Sequence, residues 1–150
     1  MEDRGRLSPE PAAGPLLRSV DSVQIPVPSL DAGLAFYRDA LGHELLWRTE
    51  RAAGLRMPDS ETEIVVQTER PQPEVDLLVE SVEAAARRVV EAGGTVRAGP
   101  FEIPVGRVVV VVDPFGNPLV LLDLSKGRFQ TDASGIVVGV ERPPETDPPS

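Results

Sequence analysis

The chain has 150 residues, 41% of them hydrophobic and 26% charged, which suits one soluble domain with a real core. Its 24 acidic and 15 basic side chains leave a net charge of -9, a surface that repels phosphate backbones, so no nucleic-acid partner is expected. Cysteine is absent, which excludes disulfides, thiolate nucleophiles and zinc-thiolate sites. No apolar run approaches the roughly 18 residues of a membrane span. The charged start lacks the apolar stretch of a signal peptide, so no membrane partner and a cytoplasmic location are expected.

Pro9, Pro11 and Pro15 at one end and Pro143, Pro144, Pro148 and Pro149 at the other mark residues 1–17 and the last ten residues as flexible segments. Val20 to Val27 alternates as a strand, and Pro26, which has no N–H to donate, predicts an edge or bulged strand. Ser29 sits where a helix N-cap belongs. Leu30, Leu34, Tyr37 and Leu41 follow at helical spacing, Phe36 and Tyr37 are expected to pack on a sheet, and Gly42 closes the helix. Three strands are predicted next: His43 to Glu50, Gly54 to Met57 and Thr62 to Thr68. Glu74 to Glu80 is again a strand and Ser81 again an N-cap. Val82, Ala86, Val89 and Val90 form the stripe of a second helix that ends at Gly93-Gly94. Thr95 to Ala98, Arg107 to Val112 and Pro118 to Leu124 complete the strands. Neither Gly93-Gly94 nor Gly116-Asn117 has the spacing of a phosphate loop.

The second half repeats the first. A shift of 52 residues lays Val27 on Val79, Ala32 on Ala84 and Gly42 on Gly94, and a shift of 55 lays Ile64-Val65-Val66 on Leu119-Val120-Leu121. The fold class read from this is α+β, a tandem of two βαβββ modules, about 20–69 and about 74–124, in a domain spanning 18–129. Residues 130–150 form a C-terminal extension. Its apolar stretch Ile136 to Val140 is expected either to cover a sheet edge of its own subunit or to cross to a partner, which motivates an expected homodimer.

Asp21-Ser22-Val23 leading to Leu30-Asp31-Ala32-Gly33-Leu34-Ala35-Phe36-Tyr37-Arg38-Asp39-Ala40-Leu41-Gly42, then Val79-Glu80-Ser81-Val82-Glu83-Ala84-Ala85, Gly99-Pro100 and Asp113-Pro114-Phe115-Gly116-Asn117-Pro118-Leu119, resemble the vicinal oxygen chelate superfamily of glyoxalases, extradiol dioxygenases and bleomycin-resistance proteins. The resemblance implies a cavity between curved sheets and a first strand at an edge. It also implies a divalent ion held by one residue from the first strand and one from the last strand of each module. Carried over, those positions are Ser22, Val65, Glu74 and Val120. Valine has no lone pair to give and serine is a poor ligand, so no metal and no other cofactor is expected. Glu63 and Gln67 offer oxygen atoms in the first module, but the second has only Pro118 and Leu122 to match them. The single histidine, His43, falls outside the ligand positions.

Alternation places Ser22, Gln24, Gln67, Glu74 and Asp76 on the concave face with Val65, Val120 and Leu122 as apolar wall. Trp47 offers a stacking surface and Arg107 a cation at the cavity mouth. Lys126-Gly127-Arg128 reads as a solvated exit turn, and Asp59 with Glu61-Thr62-Glu63 as a charged rim. The inward carboxylates favour a cationic or amine-bearing ligand. Three functions follow: a metal-independent small-molecule-binding protein, sequestering or resistance-like; an isomerase or lyase with Glu74, raised in pKa by Val65 and Val120, or else Asp76 as the catalytic base; or a divalent-metal enzyme with ligands rearranged to Glu63, Gln67 and Glu74.

Overall fold

A computed structural model describes residues 14–142, and the outer parts of both expected flexible ends lie outside them. The first module runs β1 (Ser19–Pro26), α1 (Leu30–Leu34) continued by a π-helical turn (Ala35–Ala40), β2 (Leu45–Arg48), β3 (Ala52–Arg56) and β4 (Glu63–Gln67). The second runs β5 (Glu74–Leu78), α2 (Val82–Glu91), β6 (Thr95–Ile103), β7 (Gly106–Val112) and β8 (Pro118–Asp123), followed by β9 (Arg128–Thr131) and β10 (Val137–Glu141). Both modules are thus βαβββ.

Both helices start as their sequences dictate. Ser29 Oγ accepts from Ala32 N at 3.1 Å and Ser81 Oγ from Ala84 N at 3.2 Å, each satisfying an amide that the first turn leaves unpaired. Gly42 and Gly93, at φ +88° and +105°, take the left-handed conformation that ends them. The first helix differs from expectation in its second half. Its wider π turn shifts the phase of the apolar stripe, so Tyr37 packs on the core while Phe36 and Leu41 are 53% and 52% exposed. Val90 at the end of α2 is likewise exposed.

The strands form one eight-stranded sheet in the order β2-β3-β4-β1-β5-β8-β7-β6. Each module contributes four neighbours, and the antiparallel β1–β5 ladder fuses the halves. β1 is the outermost strand of its own module, but β5 covers that edge, so of the two expected forms, edge or bulged, β1 takes the bulged one. Pro26 is tolerated because the β1–β5 register ends at Gln24 opposite Glu74, and only Gln67 of β4 faces the proline. A bulge in β1 between Val20 and Ser22 interrupts the alternation at Asp21.

Burial divides the sheet into two faces. On the helix side α1 covers Ala53, Leu55 and Val66, and α2 covers Val109, Val111 and Leu121. Leu16, inside the stretch expected to be flexible, packs against the second of these cores. The opposite face curves around a cavity. Beyond β8 the chain returns as the β9–β10 hairpin onto the open edge of the first module, where Ile136 bridges Arg48 and the Phe129 ring meets Trp47 at 4.8 Å. Of the two places expected for the extension, this is the edge of its own subunit.

Candidate functional site

The inner face of the sheet encloses about 680 Å³. Strand parity builds its wall. Gln24 pairs with Val65, Asp76 with Val120, Leu78 with Leu122, and Val108 and Val110 with Leu122 and Val120, so these alternate residues share one side of the pleat. Ser22, Gln24, Trp47, Val65, Glu74, Asp76, Val120 and Leu122 all line the cavity.

Two expected site residues lie elsewhere. Arg107 pairs with Asp123 on the helix side of the sheet, where its guanidinium meets Glu83 and Glu102. The parity that turns Val108 inward turns Arg107 outward. Gln67 lies at the end of β4, 1% exposed, and holds the turn behind the cavity: its Oε1 accepts from Glu69 N and Arg70 N, and its Nε2 donates to the Arg70 carbonyl. His43 stays outside, its Nδ1–H donating to the Arg56 carbonyl at 3.0 Å.

Four polar residues that the sequence reading left outside the wall belong to it. Asp21 lines the cavity because the bulge re-aims it. Arg70, in the β4–β5 connection, reaches over the floor to Gln24 Oε1 at 2.8 Å and Glu74 Oε1 at 3.3 Å. Arg128, expected in a solvated exit turn, is carried inward by the returning hairpin. Glu63, expected on a charged rim, accepts from Trp47 Nε1 at 2.7 Å inside the cavity. Phe101 and Phe129 close the apolar side.

The floor is a polar network centred on Asp76, which is 8% exposed. Its Oδ2 accepts from Gln24 Nε2 at 3.2 Å and from Ser22 Oγ at 3.5 Å, while its Oδ1 is buried without a hydrogen-bond donor. The Glu74 carboxyl beside it bonds it only through a shared proton. Burial is the main force on Asp76 and pushes its pKa up to about 8; the bond to Glu74 and the charges of Glu74 and Asp21 add to this, against Arg70. The desolvated carboxyl is therefore Asp76, where the sequence pointed to Glu74: Val120 lies opposite Asp76 in the β5–β8 ladder, and Glu74 has Arg70 instead. Burial also raises Asp21, opposed by Arg128, and raises Glu63, opposed by Trp47 and by the charges of Arg128 and Arg56.

Trp47 reaches Glu63 by lying across Gly54, its cross-strand partner on β3. A Cβ at Gly54 would fall on the indole nitrogen and on Glu63 Oε1. Gly54→Ala is therefore expected to break the Trp47–Glu63 bond and swing the ring into the cavity. The tryptophan emission of the unliganded variant should be displaced from that of the parent protein; identical spectra would refute this packing.

A paired-module β-sheet protein with an internal cavity is what this geometry defines. The chain belongs to the Glyoxalase/Bleomycin resistance protein/Dioxygenase superfamily, whose family model matches residues 19–121. Among solved structures it is similar to methylmalonyl-CoA epimerase from Mycobacterium tuberculosis, with 21% identity, 74% of this chain and 91% of that one covered, and a TM-score of 0.62. It is similar to methylmalonyl-CoA epimerase from Streptomyces coelicolor in complex with 2-nitronate-propionyl-CoA, at 19%, 71% and 97%, with a TM-score of 0.57. The Mn(II)-bound glyoxalase from Novosphingobium aromaticivorans gives 22%, 72% and 39%, with a TM-score of 0.52. No curated protein matches the chain.

The side chains present do not fit the divalent ion of family metalloenzymes. Val65 and Val120 occupy both last-strand positions and offer only methyl groups to the cavity. Among the described residues, no group of three or more His, Asp or Glu is placed to hold a metal. The rearranged set fails as well, because Gln67 spends its amide on the turn and Glu74 is tied to Arg70.

Proposed function

We propose that this chain binds a small organic molecule in the cavity without the family's metal, in a sequestering or resistance-like role. The observation that carries this is the cavity itself. Its roughly 680 Å³ falls within the ~300–1,000 Å³ of small-molecule sites, and most of its wall is apolar with a few directed polar groups. Valine at both last-strand positions supports metal independence, since those surfaces contribute apolar contact where chelation would need lone pairs. Trp47, the only tryptophan, lies in the wall and reports occupancy.

The test is a panel of amines, organic acids and apolar heterocycles read by Trp47 emission and by melting temperature in metal-free buffer. At least one class should shift both, because binding to the folded state alone must stabilise it. Stoichiometric divalent metal in protein purified without added salts, with ligand responses lost on chelation, would overturn the reading.

A second reading rests on the Glu74 and Asp76 carboxyls, which sit side by side in different surroundings. Such a pair suits acid–base chemistry, with Glu74 taking a proton from a carbon acid and Asp76–OH supplying one. Two of the three similar structures named above are epimerases, but likeness at this identity shows fold alone, so this reading stands on the pair. Glu74→Gln separates the two readings. Under the binding reading it changes ligand affinity only, and under the catalytic one it abolishes turnover while the fold persists.

A further inference from the structure

The cavity's charges are not spread evenly. They form two groups, each with two carboxyls and one guanidinium. Asp21 on β1 and Glu63 on β4 share the field of Arg128; Glu74 and Asp76 on β5 share that of Arg70. With every group ionised, each cluster retains one uncompensated negative charge, apart from the weaker field that Arg56, itself paired with Glu44, adds at Glu63. Ser22 lies between them, facing Glu63 across one ladder and Asp76 across the other. The Glu63 and Asp76 backbones are therefore two strand spacings apart, roughly 10 Å along the sheet, with Asp21 beside Ser22 on the strand between them. Val65, Val120 and Leu122 supply apolar wall beside that span.

One oxygen shows an unfilled bonding position. Asp76 is more than nine-tenths buried, lines the cavity, and its Oδ1 has no N–H or hydroxyl donor, so that only the proton shared with Glu74 relieves the carboxyl. An ionised carboxylate left so is costly, and the protein supplies no further N–H to correct it. A metal does not answer this need, because no three of these carboxyls converge. An ammonium group does, since it brings three donors and a positive charge on a single atom.

We infer that the occupant of this cavity is a linear dication, with two ammonium groups joined by a short alkyl spacer, one seated at Asp76 and Glu74 and the other at Asp21 and Glu63. This rests on the binding reading above and names the ligand's chemical class. The spacer lies against the valine and leucine wall, and a chain of roughly four to six carbons spans the gap between clusters. The upward pull that burial exerts on Asp21, Glu63 and Asp76 is consistent with it: in the empty cavity protons take the place of the ligand's charges. Each ammonium faces an opposing guanidinium, Arg128 at one end and Arg70 at the other, which sets a limit of one cation per cluster.

Titration calorimetry of the full chain with hexylamine, putrescine, cadaverine, hexamethylenediamine and adipate tests this. The best diamine should bind at least about tenfold tighter than hexylamine, the factor of one added charge-assisted contact, and adipate should not bind. Asp76→Asn and Glu63→Gln should each bring that diamine to the hexylamine level while leaving hexylamine within about threefold, as expected when only one of two contacts is removed. If one variant fails to fold by circular dichroism, the other carries the test. Diamines no tighter than hexylamine, or adipate tighter than both, would overturn the dication. Should Trp47 respond to other members of the ligand panel and to no amine, the dication falls and the binding site stands. Silence across the whole panel removes the binding reading itself.

Discussion

Asp76→Asn is expected to stabilise the protein at neutral pH. The side chain is buried and its folded pKa stands near 8, against an ordinary value of 3.8. For an acid raised on folding, the contribution to stability is fully present below 3.8 and is lost as pH climbs through the folded value. At pH 7 the folded protein therefore carries most of that penalty. The full shift at about 1.4 kcal/mol per unit is an upper bound, because Glu74 shares the proton and the surroundings relax. A gain on the order of 2 kcal/mol is the expected size once that sharing is allowed for. Asparagine keeps an oxygen for Gln24 Nε2 and Ser22 Oγ and can donate to Glu74, so the network survives. The melting temperature should rise by several degrees at pH 7 and stay level at pH 4, flattening the profile between them. A variant that melts lower than the parent at pH 7 would refute this account. A carboxyl retained at such a cost in a cavity wall is the pattern expected of a group kept for what it contacts there.

The architecture was legible because its signals are local and doubled. Ser29 and Ser81 both cap, Gly42 and Gly93 both terminate, and alternation within β4, β5 and β8 fixes which side chains share a face. That parity also suffices to turn Arg107 away from the cavity, since Val108 and Val110 face inward. The remaining site residues depend on geometry that periodicity does not carry. Asp21 enters through a bulge, which breaks the period of two that would have turned it to the helices. Arg70 belongs to the connection between modules, and its reach to Gln24 arises only when β1 and β5 pair across a long sequence separation. Arg128 and Phe129 arrive on a hairpin whose return depends on finding Trp47 and Arg48 at the sheet edge. The electrostatics follow the same rule. Which carboxyl is desolvated was decided by where the β5–β8 ladder begins, at Asp76 opposite Val120, two residues past Glu74.

Asp123→Ala should be the most damaging single change to the second module. The residue ends β8, 3% exposed, and joins four parts of the chain through one carboxylate. Its Oδ2 accepts from Val82 N at 3.1 Å, at the start of α2. Its Oδ1 accepts from Arg107 N at 3.1 Å, from Ser125 N at 3.2 Å and from Ser125 Oγ at 2.7 Å. Gly106 is required beside it, because a Cβ there would strike the Asp123 backbone. Truncation leaves those N–H groups without an acceptor at the junction of α2, β7 and β8, and each charge-assisted bond is worth roughly 1.5–3 kcal/mol without being additive. A loss of about 3–5 kcal/mol follows, lowering the melting temperature by around 10 °C. The milder Asp123→Asn keeps one oxygen acceptor and should lose about half as much. The pH dependence has the opposite sign to that of Asp76. Burial alone would raise Asp123, but its bonds to Ser125, Val82 and Arg107 outweigh this and hold its pKa below 3.8. Its stabilisation is thus present above that value and disappears as pH falls through the folded pKa. Urea unfolding of the parent and of Asp123→Ala at pH 7 and pH 3 measures this. The gap between them should narrow in acid, and equal midpoints at pH 7 would show that α2 and β7 are held together by something other than this carboxylate.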